Sequence, residues 1–330
     1  MNSATETTPF LSIILPTYNV EKYIDRCIES CINQTFDDIE IVVVDDCGSD
    51  NSIHIAECWA KRDQRVRVIK YQENQGTFLA RKIGVKNSRG RYVLFLDPDD
   101  SLELDTVKTL YLATQNDPKD IIFFGLRIVP KPHSLQLSSK LPANSNRQSN
   151  ILSSFFCDIR NPPWGIAGKM YARHITNQAF EKLEFVEHRL VYAEDTLFIF
   201  AAAAVSSTYL SIDKKFYIHY KNPESITEAA DFNTLKENYS QVTSIISHVK
   251  FLSMDRQLRD LNGCHLVGAS AKVSRDLEST RELIFRNSYD PDTLRPLYLK
   301  SILASHKAKP RLSTFIKVFM YYVTAFRLKL

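Results

Sequence analysis

The sequence contains no apolar run as long as the roughly 20 residues that a membrane-spanning helix needs. Its first residues, MNSATETTPF, have neither the basic start nor the apolar core of a secretory signal. Its six cysteines are never spaced C-x-x-C, so we expect reduced thiols and neither disulfides nor zinc. With 44% apolar and 24% charged residues among 330, these absences predict a globular cytoplasmic protein.

Two phosphate-binding motifs are also missing. Neither G-x-G-x-x-G nor G-x-x-x-x-G-K-[ST] follows the first predicted strand, so no glycine-rich loop of either kind cradles a phosphate there. A bound nucleotide would therefore need another source of positive charge. Acidic residues are absent after Asp292, whereas eight Lys or Arg residues follow it and make the C-terminal segment basic.

What is present is a regular alternation of strand-like and helix-like segments. Nearly continuous apolar runs, typical of buried parallel strands, occur at 11–16, 39–46, 66–72, 91–97 and 120–129. One-sided helical patterns fill the gaps between them. The alternation predicts an α/β fold with a doubly wound, mostly parallel sheet and right-handed crossovers.

This rhythm is lost in the polar segment 130–150, which is rich in Pro, Ser and Asn and predicts a boundary or a long loop. We therefore expect three parts. Residues 1–130 contain the alternating strands and helices, residues 131–227 contain mixed elements, and residues 228–330 are mainly helical.

Polar residues follow each of the first four predicted strands: Thr17 and Asn19, Asp45 and Asp46, Asn74 and Gln75, and finally Asp97, Asp99 and Asp100. Ligands of open α/β sheets bind beyond the carboxyl ends of the strands, so we expect these residues to share a site. The last group places three mutually repelling carboxylates within four positions, with no Lys or Arg among them.

Clustered carboxylates are suitable ligands for Mg²⁺ or Mn²⁺, hard cations that also bridge to diphosphate oxygens. We therefore expect a divalent cation that arrives with the substrate. The alternative is that Asp100 or Ser101 caps a following helix, which would explain one acid but not three.

Five segments together resemble the family 2 glycosyltransferases, which have the GT-A (Rossmann-like) fold: SIILPTYNVEKYI, VVVDDCGSDNS, NQGTFLARKIGV, RYVLFLDPDD and AEDTLF. The sequences of these motifs also resemble those of bacterial galactosyl- and N-acetylgalactosaminyltransferases that extend lipooligosaccharide or capsule chains. The resemblance implies metal-dependent, inverting transfer of a hexose or N-acetylhexosamine from a UDP-sugar to a glycan or glycolipid acceptor. It assigns donor binding to residues 1–130, and acceptor binding with the catalytic base to residues 131–227.

On the donor side, the resemblance implies that the backbone around Pro16 and Tyr18 lines the nucleobase pocket. Asp46 would accept a hydrogen bond from the uracil N–H, and Arg81 would help to organise the donor pocket. The family usually has Asp-Gly-Ser after the second strand, whereas Cys47 intervenes here. That departure affects the expected shape of the loop rather than the role of Asp46.

The acids after the fourth strand match the family's D-x-D motif. The resemblance implies that Asp97 lies near the ribose, that Asp99 binds Mn²⁺ or Mg²⁺, and that Asp100 borders the sugar or the acceptor. His219 would complete the metal shell. The alternative for His219 is simple packing, because it lies between aromatic residues.

The segment VYAEDTLFIF matches the family's Glu-Asp element, which implies that Asp195 is the catalytic base and that Glu194 supports it. The alternative role of both acids is to stabilise the start of a helix. Trp164 lies in the region that corresponds to the acceptor wall, where it would stack on a sugar ring. The alternative for Trp164 is a place in the core.

Residues 307–330 combine an apolar helical face with Lys and Arg, a pattern typical of a helix that lies on an anionic membrane. We therefore expect peripheral association with the inner face of the cytoplasmic membrane. The alternative is a docking or homo-oligomerisation helix. No nucleic-acid-binding module is recognisable, so we expect no nucleic-acid partner.

Two other functions are compatible with acidic clusters. A metal-dependent phosphatase, or another phosphoryl-transfer enzyme, usually places a nucleophilic Asp after its first core strand, but that strand ends here in Pro-Thr-Tyr. A non-catalytic, membrane-associated nucleotide-binding scaffold would not need the full set of carboxylates.

Overall fold

The computed structural model describes residues 8–130, 142, 150–159, 164–222 and 232–287. The chain divides into two compact units, residues 1–222 and 223–330. The first unit is built on one eight-stranded sheet with helices between its strands, as the alternation in the sequence predicts. Strands from both sides of residue 130 join this sheet, and the predicted three-part division of the chain stays a prediction.

The N-terminal half of the first unit alternates between strands and helices. Its elements are β1 (Leu11–Thr17), α1 (Ile24–Ile32), β2 (Ile39–Asp45), α2 (Ser52–Arg62), β3 (Val66–Lys70), α3 (Thr77–Asn87) and β4 (Tyr92–Phe95). β1 pairs in parallel with β2 and β4, and β2 pairs in parallel with β3. β1 and β4 are buried along their whole length, which explains their nearly continuous apolar sequences.

The second half of this unit adds antiparallel pairs to the sheet. Its elements are β5 (Ser101–Leu102), α4 (Thr106–Thr114), β6 (Ile121–Val129), a π-helical turn (Ser153–Cys157), β7 (Lys169–Ala172), α5 (Arg173–Lys182), α6 (Glu194–Val205) and β8 (Tyr209–Tyr220). β7 runs antiparallel to β4 and β6, whereas β6 and β8 are parallel. The strand order is β3-β2-β1-β4-β7-β6-β8-β5.

The chain does not enter a helix directly after Asp100. Ser101 belongs to β5, which pairs antiparallel with β8, and α4 begins at Thr106 with Asp105 as its N-cap residue. The interpretation of Asp100 or Ser101 as a helix cap is therefore wrong, because both residues lie on the strand side of this connection.

Gly84 allows α3 to lie close to the sheet. A Cβ atom at this position would be 2.3 Å from Ile14 Cγ2 on β1 and 3.2 Å from Val44 Cγ2 on β2. Only glycine fits such an approach without displacing its neighbours. The close packing brings Arg81, three residues earlier on α3, to the edge of the sheet where β4 ends.

The described part of the second unit consists of three helices, α7 (Phe232–Leu252), α8 (Arg256–Asn262) and α9 (Cys264–Asn287), in agreement with the predicted helical C-terminal region. α7 and α9 pack through buried apolar side chains that include Val242, Val249 and Val273. The basic segment 307–330 lies outside the described residues. Within those residues, no helix is both long and apolar enough to cross a membrane.

Candidate active site

The loops that follow the first three strands contact one another at one edge of the sheet. Asn19, after β1, accepts a hydrogen bond at Oδ1 from the N–H of Ser49, after β2 (2.8 Å). Asp46, directly after β2, accepts hydrogen bonds from the N–H groups of Gln75 (2.8 Å) and Gly76 (3.1 Å), which follow β3. The edge therefore gathers polar groups where ligands of parallel sheets bind.

The residues predicted for the nucleobase pocket differ in exposure. Pro16 is buried within β1, and Tyr18 is exposed just beyond its end. The N–H of Asp46 donates to the carbonyl of Thr17 (2.9 Å), so Asp46 lies next to the chain that leads to Tyr18. Burial raises the pKa of the Asp46 carboxyl, although the N–H donors of Gln75 and Gly76 oppose that effect.

Arg81 is the centre of a buried ionic cluster. Its guanidinium donates from Nη2 to Asp97 Oδ1 (2.9 Å), and from Nη1 to Glu194 Oε1 (2.9 Å) and to Asp195 Oδ1. Burial alone would lower the pKa of Arg81, but the three carboxylates outweigh burial and raise it. One cation on α3 thus joins acids that lie 16 to 114 residues away in the sequence.

Three carboxylates around one guanidinium carry excess negative charge when all are ionised. Burial, and after it the charge of Asp195, raises the pKa of Glu194 to about 8. Burial also raises the pKa of Asp97, against the attraction of Arg81. Glu194 therefore holds a proton over much of the neutral range, and its side chain is 9% exposed, against 25% for Asp195.

We expect the substitution Glu194→Gln to remove part of the pH dependence of folding stability. Because the folded-state pKa of about 8 lies above the ordinary value of 4.5, the folded protein keeps a proton that the unfolded chain loses. This contribution to stability is complete at low pH and is lost as the pH rises through 8. Between about pH 6 and about pH 9, the free energy of unfolding of the wild type should fall by roughly 2–3 kcal/mol. The variant should not show this loss of stability.

Urea unfolding at both pH values measures this difference in the free energy of unfolding. The control is Glu181→Gln on the exposed face of α5, which should follow wild type. An identical pH dependence in wild type and Glu194→Gln would contradict the raised pKa.

Asp100 is tied to β8. Its side chain is 1% exposed, and its two oxygens contact the N–H of Tyr220 (2.9 Å) and Nδ1 of His219 (3.1 Å). Both oxygens of this carboxylate are therefore engaged within the protein, and the expected contact of Asp100 with the sugar or the acceptor stays a prediction. In the structure, Asp100 contacts His219 and can orient its imidazole.

His219 is not a packed core residue, because its side chain is 45% exposed. The hydrogen bond that the imidazole donates to Asp100 raises the pKa of His219, against the opposing effect of burial. Since Nδ1 faces Asp100, Nε2 is the nitrogen left for a ligand. A carboxylate behind a histidine in this way is common among metal-binding histidines.

Asp99 has hydrogen-bonding neighbours that the sequence did not reveal. Its Oδ2 accepts a hydrogen bond from Asn222 Nδ2 (3.1 Å), and Tyr23 on the approach to α1 donates to Asn222 Oδ1 (3.3 Å). Arg26 donates to the carbonyl of Asp99 (2.7 Å) and stacks on the Tyr220 ring at 3.5 Å. No Lys, Arg or His in the described ranges forms an ion pair with the Asp99 carboxylate.

The residues present fit a cation that arrives with a diphosphate. Across the described part of the chain, no group of three or more His, Cys, Asp or Glu side chains could hold a metal by itself. Mg²⁺, however, is commonly held by one or two carboxylates together with substrate phosphates and water. Burial, and then the charge of Asp100, raises the pKa of Asp99, although the hydrogen bond from Asn222 and the charge of His219 oppose that effect.

Asp195 lies in the first turn of α6, after Ala193 in the left-handed region (φ 60°). Its Oδ2 accepts a hydrogen bond from the Ile166 N–H (2.9 Å), while Oδ1 contacts Arg81. The helix start favours Glu194 and Asp195 electrostatically, so the two interpretations of this acidic pair are compatible. The carboxylate of Asp195 is fixed from two sides and remains partly exposed.

Trp164 and Lys169 flank the segment that contacts Asp195. Trp164 is half-buried, with its ring centroid 5.5 Å from that of Phe156, and it lies two residues before Ile166. Lys169 is buried in β7, where burial lowers its pKa to about 7 against the opposing charge of Asp195. Sequence reasoning missed Lys169, because a lone lysine in AGKMYA carries no signal of burial.

Comparison with known proteins gives the family. Residues 12–157 match the family model described as Glycosyl transferase family 2. The protein of Bacillus subtilis (strain 168) named Uncharacterized glycosyltransferase EpsJ is 34% identical over 222 residues, which cover 67% of this chain and 63% of EpsJ. The matched part spans about three fifths of EpsJ and of a second B. subtilis relative, EpsH.

Two solved structures have a similar fold. TarS (residues 1–349) of S. aureus in complex with UDP-GlcNAc superposes with a TM-score of 0.61 at 21% identity, covering 96% of this chain and 92% of that chain. The mannosyltransferase PcManGT of Pyrobaculum calidifontis, in complex with GDP-Man and Mn²⁺, superposes with a TM-score of 0.53 at 13% identity. The match covers 97% of this chain and 81% of that chain. At these identities the likeness establishes the fold alone.

The sheet order and the likeness to these solved structures identify a GT-A fold, as predicted. Residues 12–157 of the chain therefore form a family 2 glycosyltransferase domain.

Proposed function

We propose that the protein is a metal-dependent inverting glycosyltransferase. Its donor is a UDP-sugar, with galactose or N-acetylgalactosamine as the transferred sugar, and its acceptor is a glycan of a bacterial lipooligosaccharide, capsule or other surface polysaccharide. The observation that carries this proposal is the buried cluster in which Arg81 joins Asp97 to the Glu194–Asp195 pair. A donor-side acid and a candidate base are thereby held by the same cation.

On the donor side, the uracil would lie against the chain at Pro16 and Tyr18, with Asp46 accepting its N–H and Asp97 near the ribose. Asp99 and Nε2 of His219 would hold Mn²⁺ or Mg²⁺. When bound, such a cation neutralises charge that develops on the departing diphosphate. Asp100 keeps the imidazole of His219 in a fixed orientation.

On the acceptor side, Trp164 would stack on a sugar ring while Asp195 removes the proton of the acceptor hydroxyl. The acceptor oxygen forms a bond to the anomeric carbon as the bond from that carbon to the diphosphate breaks. UDP leaves and the configuration inverts. A positioned base of this kind contributes about 10²–10⁴ in rate. The contacts of Arg81 and Ile166 hold Asp195 in one orientation.

A thermal-shift panel tests the proposed function. UDP-galactose, UDP-N-acetylgalactosamine, UDP-glucose, UDP-N-acetylglucosamine and GDP-mannose are each added with Mn²⁺ or with a chelator. We expect a selective rise in melting temperature with a UDP-sugar and Mn²⁺ together. A response to no UDP-sugar in the presence of Mn²⁺, or phosphate release from simple esters without a sugar acceptor, would contradict the proposal and favour the phosphatase alternative.

We further propose that residues 307–330 attach the protein to the inner face of the cytoplasmic membrane. Each Lys or Arg near an anionic membrane surface contributes about 1 kcal/mol to the free energy of membrane binding. Full-length protein should therefore sediment with phosphatidylglycerol vesicles at low salt, and protein without residues 307–330 should not. Equal sedimentation of both would point to the alternative, a helix for docking or homo-oligomerisation.

A further inference from the structure

Lys169 is among the largest fully buried side chains of the first unit, at 1% exposure. It begins β7, and its Nζ lies 5.8 Å from the centroid of the Phe155 ring. No Asp or Glu of the described residues forms an ion pair with it. Since a buried ammonium is costly unless it is hydrogen-bonded, the contacts of Nζ must be what hold it there.

Both hydrogen bonds that Nζ forms go to the loop that precedes β7. Nζ donates to the carbonyl of Gly165 and to that of Ala167 (3.2 Å). The loop turns back over its own lysine at Gly168, whose φ of +72° belongs to the left-handed region. A Cβ at Gly168 would lie 2.6 Å from the carbonyl oxygen of Phe124, so the turn is also fixed from β6.

The residue between the two carbonyls contacts the candidate base. Ile166 donates its N–H to Asp195 Oδ2 (2.9 Å), and a Cβ at Gly165 would lie 3.8 Å from the same oxygen. The Gly165 carbonyl and the Ile166 N–H are the two ends of one trans peptide group, so this group contacts Lys169 at one end and Asp195 at the other, and the Ala167 carbonyl adds a second contact to Lys169. The position of Lys169 therefore determines where that amide lies.

We propose that Lys169 is a positioning residue for glycosyl transfer, which holds residues 165–168 so that the Ile166 N–H orients Asp195. This inference rests on the proposed function, in which Asp195 is the base. Lys169 acts through the loop and does not touch the substrate. Misplacement of a reacting group by about 1 Å can cost about 10²-fold in rate.

The charge of Lys169 is part of this role, because an ammonium is a stronger donor to carbonyls than a neutral amine. Burial lowers the pKa of Lys169 to about 7, and Asp195 on α6 opposes that effect. The groups around Asp195 are Arg81 on α3, Glu194 on α6 and the Tyr171 hydroxyl on β7. We therefore expect the loop to loosen as the pH rises above about 7.

Amide hydrogen exchange of the full-length protein tests the inference without any substrate. In Lys169→Met, the protection of the Ile166 amide at about pH 6 should fall by about tenfold or more, with the amides of α5 unchanged. In Lys169→Arg, which keeps the charge and the donors, protection should stay near the wild-type value. The surface variant Lys108→Met on α4 is the matched control and should equal wild type.

The pH series separates positioning from general stabilisation. Protection of Ile166, corrected for intrinsic exchange, should fall above about pH 7 in wild type but persist in Lys169→Arg. Unchanged protection of Ile166 in Lys169→Met, or an equal loss across β7 and α5, would overturn the inference.

UDP release from UDP-galactose with Mn²⁺ is measured in parallel. If wild type releases none while the exchange results hold, the proposed donor fails and the loop contact stands.

Discussion

Asp195→Asn is expected to abolish nearly all glycosyl transfer while leaving donor binding intact. The amide cannot take the proton of the acceptor hydroxyl, so kcat should fall by about 10²–10⁴. Asn keeps the shape of the side chain, and its Oδ1 can still accept from either Arg81 or the Ile166 N–H. The affinity for UDP with Mn²⁺, measured by calorimetry, should therefore stay within about threefold of wild type.

The control for this variant is Asp213→Asn, on an exposed stretch of β8, which should transfer sugar at the wild-type rate. The variant Glu194→Gln offers a second comparison. Because Glu194 holds a proton over much of the neutral range, its loss should reduce kcat far less than the loss of Asp195. Full turnover by Asp195→Asn would exclude Asp195 as the base, and inactivity of Glu194→Gln alone would move that role to Glu194.

Asp99→Asn is expected to have the second largest effect, through the cation. Of the three acids after β4, Asp97 pairs with Arg81 and Asp100 contacts His219, whereas the carboxylate of Asp99 forms no ion pair with any of the described residues. Loss of its charge should weaken Mn²⁺-dependent binding of UDP and lower kcat/KM by about 10²–10³, equivalent to several kcal/mol.

Three outcomes distinguish the role of Asp99. Excess Mn²⁺ should restore part of the activity of Asp99→Asn if the residue binds the cation, whereas it should not rescue Asp195→Asn. His219→Ala should show a smaller increase in the Mn²⁺ concentration needed for half-maximal rate. Wild-type dependence on Mn²⁺ in Asp99→Asn would contradict the assignment of this carboxylate to the metal.

The N-terminal half of the fold could be predicted from sequence because each strand is nearly continuous in apolar residues. The predicted run 39–46 is observed as Ile39–Asp45, and 120–129 as Ile121–Val129. β7 and β8 were not predicted. β8 contains an exposed polar stretch at 213–215 that breaks the apolar pattern, and β7 has four residues of which the first is a lysine.

The candidate site could be predicted only in part from the sequence, because many of its contacts join residues that are distant in the chain. Motifs place Asp97, Asp99 and Asp195 in the chain, but they do not reveal that Arg81 joins acids up to 114 residues away. The burial of Asp100 depends on β8, and therefore its contact with His219 could not be deduced from the neighbouring acids. Lys169 was missed because the acceptors of its hydrogen bonds among the described residues are two backbone carbonyls, which have no sequence signature.

The central claim is that the acids beyond β4 bind a nucleoside diphosphate through a divalent cation. Calorimetric titration of UDP into the wild-type protein, with Mn²⁺ and then with EDTA, tests this claim most directly. We predict binding with Mn²⁺ that weakens about tenfold or more when the ion is removed. Equal affinity under both conditions, or no binding of UDP in the presence of Mn²⁺, would contradict it.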